Sequence, residues 1–476
     1  MSTPAEQVLL LSVAGFPLCA FLLLAVFAWR GGRRVEWTIS TAVVLAFGLS
    51  VASALVLSVA MMSGGRPMLT ASVGTWFGTG ESEFHLLLVA DGLSLPFAVL
   101  TALLGGLIGV FSQRYLHKEP GYLRFYMLLA LFGAGVELVA LAGALELTFV
   151  GWELAGLTSA LLIAFFHERR RPVEHGLRAF LTYRACDVGL LAAVVWLHHA
   201  TGSSTVTAAQ GGTGWAGFSV PPAAWDALLI GLALLWASMG KAAQVPLGGW
   251  LPRAMEGPTP SSAVFYGAIS VSLGPYLLLR TESVWSGTPA VRIAIIAVGA
   301  LTAVHATLVG RAQTDIKSAL AYASMTQIGM VLVEVGLGLR YLALAHLVAH
   351  AALRSAQILR SPSLIHDHHH LEQAVGRPLP PTGRHLDRVV PPGTQAWLYR
   401  YALERGYFDA WLRDHVVGGL TRLVRRADSL DDRWARRLSA GWVPAPRDGS
   451  SGDLGERAVA ATAGRGGAPG ARRGGR

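Results

Sequence analysis

The chain has 476 residues, of which 53% are hydrophobic and only 14% are charged, and its mean hydropathy is +0.46. This composition excludes an ordinary soluble protein of that length and indicates an integral membrane protein. The net charge of +10 does not indicate nucleic-acid binding, because the arginines concentrate in short loops and towards the C-terminus, as cytoplasmic charge does in membrane proteins.

Eleven apolar runs are long enough to cross the hydrocarbon core of a bilayer, which takes about 20 residues. The sequence therefore predicts an all-α, polytopic protein with spans near 7–29, 38–62, 86–111, 122–144, 147–166, 178–199, 225–256, 260–280, 291–310, 318–336 and 339–358. The first run has no basic region before it and exceeds a signal-peptide core, so we predict a retained span. Cys19 and Cys186 both lie in apolar runs and support neither a disulfide framework nor a metal site.

Loop charge predicts the orientation, because lysine and arginine in short loops are retained in the cytoplasm. With the N-terminus outside, the cytoplasmic loops carry Arg30, Arg33, Arg34, Arg114, Lys118, Arg169, Arg170, Arg171, Arg253 and Arg311. The opposite loops carry Arg66, Arg280, Arg292 and Arg340. An odd number of spans then places the C-terminal region in the cytoplasm, beneath the cell membrane.

The character of the sequence changes after about residue 360, so we predict a transmembrane domain over 1–360. Residues 361–443 form a cytoplasmic or interfacial segment, in which Trp397, Trp411 and Trp434 recur among arginine and leucine. This pattern is typical of an amphipathic helix on a membrane surface or on a partner. Residues 444–476 are rich in Gly, Ala, Arg and Pro, which predicts a disordered tail.

Lysine is rare in this chain and is retained at only three positions, Lys118, Lys241 and Lys317. Lysine can lose its proton when it is desolvated, whereas arginine effectively cannot, so lysines in or near spans are candidates for a proton relay. The alternative for each is a side chain that extends to the membrane surface. Pro246 follows Lys241 and is predicted to break the seventh helix. Transporters bind ions at broken helices of this kind. The alternative is that Pro246 only produces a kink that helps the helix to pack.

Acidic residues also occur within the predicted spans, where an isolated charge costs about 2.5–3.5 kcal/mol on insertion scales. We predict that Glu153, which has small residues nearby in its motif, is the carboxylate partner of Lys241, with a static ion pair between helices as the alternative. Asp187 follows Arg184 by three residues, so the two can instead neutralise each other on one helix face. The remaining span acids are Glu137, Glu146 and Glu334.

Histidines form a second candidate group. His346, His350 and Arg354 recur every four residues and are predicted to share one face of the eleventh helix, where histidines can pass a proton or simply pack. His305 is a less specific candidate. The run His366–Asp367–His368–His369–His370 lacks the geometry of a metal site, and no pattern for ATP, a dinucleotide or an iron–sulfur cluster is found, so we predict neither metal nor cofactor.

Several motifs resemble those of the antiporter-like subunits of respiratory complex I, particularly its L subunit, and their Mrp relatives. They are Asp91-Gly-Leu-Ser-Leu-Pro-Phe97, Gly151-Trp-Glu-Leu-Ala-Gly156, Lys241-Ala-Ala-Gln-Val-Pro-Leu247, Trp250 through Ser261 and Thr314 through Tyr322. The resemblance implies an antiporter-like fold and a half-channel formed by Glu153 and Lys241, with Asp187 modulating the pair. It also implies that Lys317, His346 and His350 extend the polar axis.

Other features are similar to the membrane subunit of the DAB inorganic carbon accumulation complex. The L subunit has a histidine where this chain has Val264 through Gly267, a lysine where it has Arg354, and further spans. The segments Phe265 through Val271 and Ser361 through Glu372 look like the DAB membrane subunit instead. That resemblance implies a large cytoplasmic zinc partner similar to β-carbonic anhydrases, with H⁺ or Na⁺ flow driving conversion of CO₂ to bicarbonate. The alternatives are an L-type or Mrp-type subunit and a structural membrane anchor, none of them an enzyme on its own.

Overall fold

The computed structural model describes residues 2–30, 35–79, 82–207, 215–221, 223–264, 269–376, 390–417, 419, 422, 425–430, 433 and 434, except for the side chains of 362–372 and a few other positions. The chain divides into two units, Met1–Ala410 and Trp411–Arg476. The predicted disordered tail, 444–476, lies outside the described residues, as does most of the segment Phe265 through Val271.

Long apolar helices dominate the first unit. They are α1 (Pro4–Trp29), α2 (Glu36–Gly64), α3 (Ser94–Tyr115), α4 (Tyr122–Leu141), α5 (Leu145–Ile163), α6 (Arg170–Thr201) and α7 (Ala224–Lys241). Five short elements and three further long helices follow among the described residues up to Val375. Ten helices of the described residues are long and apolar enough to cross a membrane. The protein is thus a multi-pass integral membrane protein, as its composition predicts.

A β-hairpin replaces the start of the third predicted span. Strand β1 (Met68–Thr79) pairs antiparallel with β2 (Ser82–Asp91), in a register that sets Met68 opposite Asp91. The carboxylate of Asp91 then accepts hydrogen bonds from the backbone N–H groups of Leu93 and Ser94, at 3.1 and 2.9 Å. These bonds satisfy N–H groups that have no partner at the start of a helix, so the strand ends and α3 begins at this point.

The seventh helix is broken, as predicted, and it ends at Lys241 rather than at Pro246. Two 3-10 turns, Leu247–Trp250 and Pro252–Glu256, follow the break. Proline has no N–H to donate and restricts the residue before it, so the prolines of this stretch prevent a regular α-helix. Lys241 therefore lies at a helix end in the protein interior.

The eighth predicted span, 260–280, is not one continuous helix in the part that the structure describes. It contains α8 (Thr259–Ser262) and α9 (Leu273–Arg280), and α10 (Glu282–Trp285) follows. Prolines at 258, 260 and 275 account for the short elements. This division explains why ten long helices stand where eleven spans are predicted.

Two pairs of long helices cross at facing glycines. A Cβ atom on Gly151 of α5 would lie 2.5 Å from the carbonyl oxygen of Gly135 in α4. The same relation holds between α11 (Pro289–Gly310) and α12 (Ile316–Gly336), where a Cβ on Gly299 would lie 2.5 Å from the carbonyl oxygen of Gly329. In both pairs the helix backbones touch directly, as small residues allow in membrane proteins.

The last long helix, α13 (Arg340–Val375), runs past the predicted end of the transmembrane domain at 360. In the predicted interfacial segment, α14 (Pro392–Leu403) contacts α11 of the same chain, and a 3-10 turn (Arg405–Tyr407) and α15 (Phe408–Trp411) follow. In the second unit, Leu412–Val417 is helical.

Candidate functional site

Lys241 is buried at the broken end of α7, with only 1% of its surface exposed. Its ammonium nitrogen Nζ donates a hydrogen bond to the backbone oxygen of Trp152 at 3.0 Å. The same atom lies 4.8 Å from the ring centre of Trp152 and 4.7 Å from that of Tyr183. Aromatic faces attract a cation, so these contacts hold the ammonium without a carboxylate in contact.

Glu153 is not in contact with Lys241, which corrects the predicted direct pair. Among the ion pairs of the described residues, the carboxylate of Glu153 binds the Arg184 guanidinium instead. The guanidinium also binds Asp187, with Nη2 2.7 Å from Oδ2. Arginine has five N–H donors in a planar fork and can bind two carboxylates at once, so Arg184 takes the place expected of the lysine.

Trp152 connects this arginine-centred group to the lysine. Its indole N–H donates to Asp187 Oδ1 at 2.5 Å, while its backbone oxygen accepts from Lys241. Gly156, one turn further along α5, leaves room for both cations: a Cβ at this position would lie 2.8 Å from Lys241 Nζ and 3.3 Å from Arg184 Nη2. Lys241, Arg184, Glu153 and Asp187 therefore form one cluster, which we call the central cluster.

The central cluster balances two cations with two carboxylates, and its members differ in one chemical respect. Arg184 keeps its charge under all physiological conditions, whereas a desolvated lysine can release a proton. The cluster can therefore change charge at Lys241 while Arg184 continues to hold both carboxylates. This arrangement is suited to the transfer of a proton.

Residues 401–409 cover the break in α7, and we call them the cap. His305 of α11 is buried, and its Nδ1 lies 2.8 Å from the hydroxyl of Tyr401. Asp409 binds the guanidinium of Arg178 in α6 and that of Arg253 just after the break, the latter with Nη1 2.6 Å from Oδ2. A small cavity between cap and break is lined by Val245, Pro246, Gly248, Gly249, His305, Tyr322, Met325, Arg405, Phe408 and Asp409.

His346 and His350 lie on α13, as predicted, but in different surroundings. The Nδ1 of His346 is 2.8 Å from Glu334 Oε1, and its Nε2 is 2.9 Å from Gln327 Oε1 on α12. His350 is buried, and its Nε2 has no hydrogen-bond partner among the described residues. Arg354, one turn on, donates to Gln357 at 2.8 Å. Among the hydrogen bonds of the described residues, none joins His346 or His350 to the central cluster.

Lys317 lies in the first turn of α12 and is partly exposed. It makes no ion pair with a residue that the structure describes. The side chains of the run His366 through His370 lie outside the described residues. Within the described residues no group of three or more metal-ligating side chains is found.

Sequence reasoning missed the residues that connect the site. Trp152 could have been suspected from its place in the motif Gly151 through Gly156, where glycines on both sides indicate close helix packing. Asp409 carried no such signal, because its partner Arg178 lies 231 residues away in the sequence. Only the fold brings these two residues together.

Comparison with known families agrees with this geometry. A family model described as NADH:quinone oxidoreductase/Mrp antiporter, transmembrane region, matches residues 142–376. A second model, the N-terminus of chain 5 of complex I, matches residues 76–126, so the two models together match more than half of the chain. The chain belongs to the complex I L-subunit and Mrp antiporter-like family. The matched ranges contain the whole central cluster.

Curated relatives and solved structures support the same family. The chain is 35% identical over 348 residues to NADH-quinone oxidoreductase subunit L of Mycobacterium tuberculosis, covering 71% of this chain and 53% of the relative. It is 33% identical to the Escherichia coli subunit L, covering 74% and 57%. The chain thus spans about half the length of these relatives.

Two solved structures share the fold. The Mrp complex from a Dietzia species matches with a TM-score of 0.61 and 25% identity, over 74% of this chain and 37% of that chain. The membrane-bound sulfane sulfur reductase, an archaeal respiratory membrane complex, matches with a TM-score of 0.59 and 20% identity, over 74% and 70%. The antiporter-like fold predicted from the sequence is confirmed.

Proposed function

We propose that this chain is a cation-translocating subunit of a larger complex in the cell membrane, and that the cation is a proton transferred at the central cluster. The observation that carries the proposal is the environment of Lys241, a buried ammonium held by a backbone oxygen and two aromatic rings beside an arginine that already binds two carboxylates. The family membership supports it.

The physical argument concerns the cost of charge. Ionisable groups inside a membrane are expensive and are retained where ions or protons pass. Asp187 and Glu153 attract positive charge to Lys241 from nearby without binding it, so its ammonium can form and be lost. Arg184 prevents either carboxylate from forming a permanent pair with the lysine.

We further propose that Pro246, Lys317, His305, His346 and His350 belong to the route. Pro246 and His305 line the cavity under the cap, next to the break in α7. His346 bridges α12 and α13 through Gln327 and Glu334. These contacts support a route along the helices that follow the break. The predicted orientation, with the N-terminus outside, is part of this proposal.

The coupled reaction is proposed on sequence resemblance. The relatives' names describe subunits of quinone oxidoreductases, which supports a protein partner for this chain. We propose that the partner is a large cytoplasmic zinc protein similar to β-carbonic anhydrases. The reaction driven by the complex would then be the conversion of CO₂ to bicarbonate. The segments Phe265 through Val271 and Ser361 through Glu372 support this choice. The alternative outputs are quinone reduction and cation/proton exchange.

Substitution of Lys241 tests the transport proposal. The full chain, purified with whatever copurifies, would be reconstituted in liposomes, and proton uptake followed with a pH-sensitive dye under an imposed membrane potential. Lys241→Met and Lys241→Arg should both abolish uptake, because methionine carries no charge and arginine cannot release its proton. Lys118→Met, at an exposed lysine, is the matched control and should transport normally. Normal uptake by Lys241→Arg would refute the proposed role of proton release.

Copurification tests the coupled reaction separately. A stoichiometric zinc protein bound to the chain, together with growth in air of a carbonic-anhydrase-deficient bacterium that expresses the pair, is the expected result. Quinone-reducing subunits in the same preparation would contradict it and favour the respiratory alternative.

A further inference from the structure

A buried carboxyl group lies outside the central cluster. Glu137 of α4 is 0% exposed, and neither of its carboxyl oxygens has a hydrogen-bond partner among the described residues. Gly135, two residues earlier, contacts α5. Two residues correspond to about 200° around an α-helix, so Glu137 lies on the other side of α4 from the helix that carries Glu153.

Tyr276 of α9 brings a hydroxyl group to the same part of α4. The Tyr276 hydroxyl donates to the backbone oxygen of Ala140, one turn along α4, at 2.6 Å. It also accepts a hydrogen bond from Arg280 Nη2 at 3.2 Å. The Tyr276 hydroxyl therefore sits at the surface of α4 close to the carboxyl group.

Arg280 continues this row of polar groups to the end of the β-hairpin. Its two terminal nitrogens lie 2.6 and 3.0 Å from the two oxygens of Asp91. Asp91 also accepts from the backbone N–H of Ala216, in the loop before α7, at 2.9 Å. We call Asp91, Arg280, Tyr276 and Glu137 the second polar row; it runs from the loop end of the helices into α4.

The charges along the second polar row indicate the protonation state of Glu137. Asp91 takes up the charge of Arg280 through two hydrogen bonds, so the arginine is not a counter-ion for a second carboxylate. An ionised carboxyl without a counter-ion or a hydrogen bond is costly in an apolar interior. A neutral acid avoids most of that cost. A carboxyl group that is neutral at this position can bind and release a proton, which an apolar side chain cannot do.

We propose that Glu137 is a proton-binding site, and that it exchanges its proton with the loop end of the protein through the Tyr276 hydroxyl. In the exchange, the carboxyl O–H bond breaks and the proton passes through a bridging water molecule to the Tyr276 oxygen, while the hydroxyl proton moves on to a second water molecule. The tyrosine is unchanged, and Glu137 becomes a carboxylate until a proton returns by the reverse steps. The transport role of this site rests on the proposed function, whereas the bound proton does not.

Infrared spectroscopy of the full chain in lipid at neutral pH tests the bound proton. The spectrum of the wild type minus that of Glu137→Gln should contain the C=O band of a protonated carboxylic acid, and the band should shift in D₂O. Glu137→Asp keeps the acid and should keep a shifted band. Absence of the band from the wild-type difference spectrum would overturn the proposal.

Proton uptake by the same preparations tests the exchange. Glu137→Gln should lower the rate by about a hundredfold or more, the scale of a lost proton-transfer group. Tyr276→Phe should also lower the rate while the infrared band remains. Normal uptake by both variants would overturn the exchange. Glu153→Gln separates the two proposals, since it should lower uptake and leave the Glu137 band unchanged. If the wild type transports no protons but shows the band, the proposed function fails and the proton-binding site stands.

Discussion

The replacement of Gly156 by alanine tests the central cluster without removing any charged group. The added methyl would lie 2.8 Å from Lys241 Nζ and 3.3 Å from Arg184 Nη2. Comfortable contact begins at about 3.5 Å, so the ammonium must retreat by roughly 0.7 Å. Its hydrogen-bond acceptor, the backbone oxygen of Trp152, lies one helical turn before Gly156. Retreat from the methyl therefore also lengthens that bond, now 3.0 Å, towards the limit for a hydrogen bond.

The expected effect follows from the lost hydrogen bond. A hydrogen bond to a charged group contributes about 1.5–3 kcal/mol, and about 1.4 kcal/mol corresponds to a tenfold change in rate, so proton uptake should slow by about ten- to a hundredfold. Folding should change little, because the end of a lysine side chain can move and because alanine is favoured over glycine in helices by about 1 kcal/mol.

The matched control is Gly48→Ala in α2, where an added methyl would meet no atom within 4 Å. It has the same helix propensity change and no contact with the central cluster. Gly156→Ala should unfold at about the wild-type temperature in detergent and Gly48→Ala at that temperature or slightly above it. Only Gly156→Ala should transport slowly in liposomes. Equal, wild-type uptake by the two variants would show that the position of Lys241 does not matter.

Two further predictions concern stability. Asp409→Asn removes the carboxylate that binds the partly exposed guanidinium groups of Arg178 and Arg253. The free energy of unfolding should fall by about 1–2 kcal/mol, which is less than the cost of breaking a fully buried ion pair. The control Asp428→Asn, at an exposed residue, should leave the melting temperature unchanged in the same thermal melts. Burial raises the pKa of Asp91, but the charge and hydrogen bonds of Arg280 outweigh burial and hold it below its usual value. The stability that this ion pair contributes is therefore present above about pH 4, the value for an unfolded chain, and is lost as pH falls through the folded-state pKa. The difference in melting temperature between wild type and Asp91→Asn should accordingly shrink in acid, and a constant difference would contradict this.

The fold could largely be predicted, because apolar run length reports membrane spans directly. The prediction was wrong where polar and apolar signals overlap. The run from residue 86 continues through the end of β2 into α3, and its hydropathy does not reveal that Asp91 ends a strand and caps a helix. The break in α7 was predicted from Pro246, yet the helix ends five residues earlier, at Lys241.

Most residues of the candidate site could be predicted from the sequence, but the ion pairs and hydrogen bonds between them could not. The acids, the lysine and the histidines could be found because ionisable residues in apolar runs are rare. Their pairing could not, because it depends on which helix faces meet. Glu153 lies within reach of a guanidinium on α6, and Arg184 has enough donors for two carboxylates. Sequence spacing gives the local contact between Arg184 and Asp187, but not the longer-range contact with Glu153.

The facing glycines of α4 with α5 and of α11 with α12 determine how this protein can move. Where two backbones touch without side chains between them, the helices cannot slide past each other without losing contact along their whole length. Each pair must therefore shift or tilt as a single rigid body. The irregular stretch from Ala242 to Pro258, which lies beside Lys241 and under the cap, belongs to neither pair. In the proposed transport cycle, this stretch would rearrange while the paired helices keep their contacts.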